Sequence, residues 1–150
     1  MGREVSGDGF MDRRAIIDHV KSELDKTGLG NRGRYGALIS GMFDLSSHYD
    51  MAMKIELFDH SARLYTCERG KCVYEYRTGE VAEIVFFILD DVIRMTAHSL
   101  TVEKFQDENR RLRYGEEVRE YEKSLVRRAF EAIGGQYLEW HERGRKALNM

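Results

Sequence analysis

The side chains best able to do chemistry in this 150-residue chain are two cysteines, five histidines and an adjacent pair of aspartates. Cys67 and Cys72 have four residues between them. Zinc would need two more ligands at compatible geometry, and no second cysteine pair supplies them. A hairpin register would make the two thiols cross-strand neighbours, so a disulfide is sterically accessible. Two buried free thiols fit a reducing compartment better. His19, His48, His60, His98 and His141 lack the HxH and HExxH spacings that bring imidazoles onto one metal. His48 and His60 could meet only at one end of a β-meander. Asp90 and Asp91 project about 100° apart on a helix, so they cannot converge on one point as a general acid and base must. One should reach solvent, and the other should meet a cation from the C-terminal helices, such as Arg127 or Arg128.

Phosphate-binding patterns are missing as well. The 14 glycines form neither GxGxxG nor GxxxxGK[ST] after a strand. Arg110, Arg111 and Arg113 make a short basic run, but Asp107, Glu108, Glu116 and Glu117 flank it, which favours a solvated face. Trp140 sits at helical spacing and is expected in the core.

These residues are positioned by elements whose periods are mostly clear. Asp12 can cap a helix running to about Lys26, with Ile16, Ile17, Val20 and Leu24 on one side and Gly28 and Gly30 ending it. Residues 31–47 keep neither a helical nor a strand period, and a short strand over 37–43 is the expectation there. Alternation then predicts a three-stranded antiparallel β-meander over about residues 51–77. Its last two strands join through Arg69-Gly70, so that Cys67 faces Cys72 and Tyr65 faces Tyr74. Tyr65, Cys67, Cys72, Tyr74 and Tyr76 are the expected core face. Thr78 is placed to cap the next helix, with Glu80 and Glu83 near its positive end. Val81, Ile84, Val85, Ile88, Val92 and Met95 form a stripe that Phe86, Phe87, Leu89 and Ile93 widen almost all round, which marks a helix buried by several neighbours. Residues 101–113 are expected to extend that helix and then loop. Val118, Tyr121, Leu125, Ala129 and Ile133 place a long amphipathic helix over 116–133, ended by Gly134-Gly135, and a last helix covers 137–148. The predicted fold is α+β, in one domain whose first eleven residues are a loose lead-in.

Composition fits that fold. The chain is 42% hydrophobic and 33% charged, enough apolar material for a core, and its net charge of -2 gives no basic excess for nonspecific nucleic-acid binding. The start MGREVSGDGFMDRR has no apolar signal region, and the longest apolar run, residues 84–89, is too short to cross a bilayer. A bacterial-type cytosol is the expected location. Proline is absent, so sharp turns must rely on Gly, Asn and Asp.

Two stretches in order resemble the immunity protein 63 family of bacterial polymorphic-toxin and contact-dependent inhibition systems. The first is the hairpin with Glu68-Arg69-Gly70 in its turn, then Arg77-Thr78 and the apolar helix ending over residues 91–97. The second is Tyr114-Gly115, a charged amphipathic helix, Gly134 and Trp140. Together they span about residues 51–148. The resemblance implies a small cytosolic protein that binds one cognate toxin domain and blocks it, without catalysis, cofactor or metal. Many such toxins are nucleases with basic clefts, which an acidic surface would help to meet. Asp59, Glu68, Glu75, Glu80 and Glu83, with Arg69 at the hairpin tip, are the expected contact residues.

Two other readings stay open. One is a small α+β enzyme or ligand-binding protein with a pocket between sheet and helices, using Tyr65, Tyr74, His98 or Cys67. The other is a nucleic-acid-associated regulator using Arg110, Arg111, Arg113, Arg143 and Lys146. A homo-oligomer is compatible with all three readings.

Overall fold

The computed structural model describes residues 11–29, 32–46, 52–106 and 115–144. Five helices and one three-stranded antiparallel sheet follow in the order α1 (Arg13–Leu24), α2 (Arg32–Phe43), β1 (Lys54–Leu57), β2 (Ala62–Glu68), β3 (Lys71–Thr78), α3 (Val81–Phe105), α4 (Glu116–Ile133) and α5 (Gly135–Arg143). This is the expected α+β architecture, with the sheet ordered β1-β2-β3.

Helix α1 starts where the sequence placed it, because the Asp12 carboxylate accepts the Ala15 N–H. Ile16, Val20 and Leu24 are its buried stripe. Met11, expected in the loose lead-in, is instead buried in the core, and its N–H donates to the Asp59 carbonyl. Residues 1–10, the rest of that expected lead-in, lie outside the described residues.

The segment expected as a strand over 37–43 is helical. Tyr35, Ile39, Met42 and Phe43 are buried along α2, a helical spacing that Gly36 and Gly41 dilute. Glycine also weakens the local preference, so packing rather than propensity holds this helix. Lys54, buried on β1, donates from Nζ to the carbonyls of Gly41 (2.9 Å) and Asp44 (3.0 Å) and so satisfies the C-terminal end of α2.

The β2–β3 turn is the predicted one. Arg69 and Gly70 both have positive φ, 52° and 82°, as a two-residue type I′ connection requires. Cys67 pairs with Cys72 and Glu68 with Lys71, but the register shifts between Thr66 and Cys67, so Thr66 meets Tyr74 and Tyr65 meets Glu75. Val73 is the extra residue of that bulge. One added residue reverses facing parity. The inward face of β2 is therefore Ala62 and Leu64, not Tyr65 and Cys67. Tyr76 keeps its expected inward position, with its ring 5.4 Å from that of Phe87.

Thr78 still pairs with Ala62 in the sheet, so it cannot be the N-cap of α3, and Glu80 takes that position. The Thr78 hydroxyl accepts the Glu80 N–H and donates to the Glu83 carboxylate, a support just before the helix. From Val81 to Ala97, α3 is buried on nearly every side and forms the centre of the core. Phe86 meets Phe87, Phe130 and Trp140 at ring distances of 6.2, 5.9 and 5.6 Å. Trp140 thus packs on the core as expected.

Helix α4 has its predicted bounds, and α5 begins at Gly135 instead of residue 137. Its expected continuation over 145–148 falls outside the described residues; the expected extension of α3 from residue 101 is present to Phe105, and the rest of that 101–113 stretch from residue 107 is likewise outside them. Among the described residues no helix is long and apolar enough to cross a membrane.

Candidate functional site

Helices α3 and α4 run antiparallel, as contacts at both ends show. Phe86 meets Phe130, and Phe105 meets Tyr121 with rings edge to face at 5.6 Å. Between them, closed at one end by His141 of α5, lies a cleft of about 1020 Å³. That is at the upper end of ordinary ligand-pocket volumes. The buried residues Thr101, Phe105, Val118 and Val126 form its floor.

Four cations, Arg94, Arg119, Lys123 and Arg127, line the cleft against a single carboxylate, Glu122. This is a local reversal of sign in a chain with net charge -2. Arg94 is held by Asp90 at 2.8 Å, and Lys123 approaches Glu120 at 3.8 Å. Glu122 meets His98 Nδ1 at 3.0 Å across the cleft. No described residue forms an ion pair with Arg127. Residues 119, 123 and 127 recur every four positions on α4, so their side chains rise about 6 Å apart along one wall.

At the closed end, the His141 ring stacks on Phe130, 4.4 Å between centroids. Burial, and then the Arg94 guanidinium, hold its pKa below the ordinary imidazole value. Its Nδ1 is buried with no hydrogen-bond partner.

One of Asp90 and Asp91 is expected to meet a cation from the C-terminal helices, such as Arg127 or Arg128; the Asp90 carboxylate accepts from Arg94, one turn along its own helix. Asp91 is half-buried.

The open face of the meander is a second charged surface. Arg63 lies over the Tyr65 ring, 4.1 Å from its centroid, and pairs with Glu75 and with Glu56 at 3.6 Å. Arg77 reaches the same Glu75 carboxylate at 3.3 Å. The Arg63 hydrogen bond, above all, lowers the Glu75 pKa.

The expected contact residues do not form one continuous patch. Asp59, Glu80 and Glu83 gather at the end where the β1–β2 turn meets the start of α3; Gly79 lies against the His60 carbonyl there. Glu68 and Arg69 lie at the other end of β2, about 20 Å away for a strand of that length. Glu75 lies between, on the open face. Glu83 accepts from Tyr76 at 2.9 Å and from Thr78, so its carboxylate serves the fold.

Cys67 and Cys72 are free thiols on this open face, half-buried and exposed respectively. The expectation of two buried thiols fails because Cys67 alternates with the inward Leu64 and the bulged register sets Cys72 opposite it on the same open face. Of the residues suggested for a pocket, His98 lines this cleft, which lies between helices rather than between sheet and helices. Tyr65 and Cys67 are on the hairpin. His48, Arg110, Arg111, Arg113 and Lys146 fall outside the described residues, and Arg143 is exposed and paired with Glu139 at 2.8 Å. Among the described residues no group of three or more His, Cys, Asp or Glu side chains is arranged to hold a metal.

Sequence reasoning missed the cleft. Its only signal was the four-residue repeat of cations at 119, 123 and 127, which looks like any solvated helix face until α3 is placed beside it. Comparison with known proteins found no matching family model, curated protein or solved structure.

Proposed function

We propose that this chain is an immunity-type binding protein that neutralises a bacterial toxin domain by forming a stoichiometric complex in the cytosol of the producing cell. The ordered resemblance of the hairpin, central helix and C-terminal helices to immunity protein 63 motivates the reading. The structural observation that supports it is the Arg63–Tyr65–Glu75 cluster on the open sheet face. Arginine and tyrosine are the residue types that most often dominate interface energies. Here the arginine is fixed from below by a ring and from two sides by carboxylates. A group ordered before binding loses little side-chain entropy on binding. Asp59, Glu68 and Glu80 project at the two ends of the meander and would steer a basic partner towards it.

The test is co-expression with the reading frame next to the gene, followed by size-exclusion chromatography and calorimetry. A one-to-one complex is expected, weakened about tenfold or more by Arg63→Glu. Lack of a toxic neighbouring product, or a complex indifferent to charge reversal at Arg63, Glu68 and Glu75, would remove the reading.

A further inference from the structure

The cleft between α3 and α4 is polar along its length. At one end Arg127 on α4 and Arg94 on α3 stand beside the His141 ring. Towards the other end Phe105 and Val118 are buried in the floor, and Val102 beside them is 51% exposed despite being apolar. A guanidinium presents a planar fork of donors that matches a carboxylate in two parallel hydrogen bonds. Arg94 already spends its Nε on Asp90. Arg127 has no ion-pair partner among the described residues. The rest of the cleft offers an apolar floor, and Glu122 is turned towards His98.

We propose that the α3–α4 cleft is a binding site for a small organic carboxylate with an apolar body, its head on Arg127 and its tail over Val102, Phe105 and Val118. The charge selects the head, because Arg127 forms no ion pair with a described residue while Glu122, the carboxylate lining the cleft, is engaged by His98. A cationic amphiphile would meet repulsion at the end where the anion is held. The apolar lining selects the tail: covering the exposed Val102 removes apolar surface from water, at roughly 25 cal/mol per Å², and the buried Phe105 and Val118 give an apolar floor beside it. An anion without a tail would keep only a partly solvated charge contact, which is weak in salt. The site is separate from the open sheet face used by the toxin reading and does not depend on it.

Dodecanoate, below its micellar concentration, is the probe. Calorimetry and methyl NMR on the full chain compare it with dodecyltrimethylammonium, which has the same tail and the opposite head, and with acetate, which has the head alone. Dodecanoate should bind with shifts at the Val102 and Val126 methyls, and each comparator should bind at least about tenfold more weakly. Arg127→Glu and Val102→Glu should each weaken dodecanoate about tenfold. Arg143→Glu, outside the cleft, should leave it unchanged. Both cleft positions are exposed, so unaltered circular-dichroism melts separate lost binding from lost folding. Absence of dodecanoate binding, equal binding of the ammonium compound, or indifference to Arg127→Glu would each overturn the proposal.

Discussion

The imidazole of His141 lies flat on the ring of Phe130, with 4.4 Å between centroids and 6° between planes. The stack puts a titratable ring into the wall of the core, where Arg94, Asp90 and Glu142 also act on it. Burial and Arg94 disfavour the imidazolium, so the folded pKa lies below the unfolded value of about 6.5. The unfolded chain then binds the proton more readily, and stability must fall as pH drops below that value. Thermal melts between pH 7.5 and 5.5 should show a decline that His141→Phe reduces while keeping the stack. An identical slope in the variant would refute this account.

Tyr76 and Tyr137 give the opposite dependence at the alkaline end. Burial, followed by Glu83 for Tyr76 and Glu23 for Tyr137, pushes both phenols up to about 12. A raised folded pKa means that the native state holds the proton more tightly. Their contribution is complete below the unfolded value of about 10 and is lost as pH rises from there towards the folded value. Absorbance at 295 nm should report late-titrating phenols, and Tyr76→Phe and Tyr137→Phe should each remove one of the latest. Eight tyrosines ionising together near the ordinary value would count against it.

The two thiols should differ in reactivity. Cys72 is exposed, and Arg63 lies 3.9 Å from its sulfur. Cys67 is half-buried, and burial, then Cys72, raises its pKa. Thiolate is the reacting form. A disulfide reagent at pH 8, followed by mass spectrometry, should therefore label Cys72 first, and Cys72→Ser should leave only the slow phase. Equal rates at both positions would contradict the assigned geometry.

Phe86 joins the central helix to both C-terminal helices through Phe130 and Trp140 and is 2% exposed. Phe86→Ala should cost about 3–5 kcal/mol, a large share of the stability of a domain this size. Urea unfolding should show a lower midpoint with an unchanged slope. A loss below about 1 kcal/mol would mean that the cluster relaxes around the cavity.

Much of the fold was legible because it is written in local periods. Ile16, Val20 and Leu24 mark α1, and Val118, Ala129 and their neighbours mark α4. Arg69-Gly70 marks the turn because only a few residue types accept two successive positive φ values. The α2 segment was not legible. Its buried Tyr35, Ile39, Met42 and Phe43 are diluted by glycines, and its C-terminal carbonyls are satisfied by Lys54, ten residues or more along the chain.

The chain's own order of residues determined the element types outside α2, the central place of the residue 81–97 helix and the cross-strand meeting of Cys67 with Cys72. Tertiary structure decided which face of the hairpin is buried, because a single extra residue at Val73 inverts parity and only pairing with β2 reveals it. It also decided that the cations on α4 line a cleft instead of an open surface. A helical repeat specifies which side chains share a face. What that face meets depends on a partner helix more than twenty residues away, as His98 and Glu122 show across the cleft.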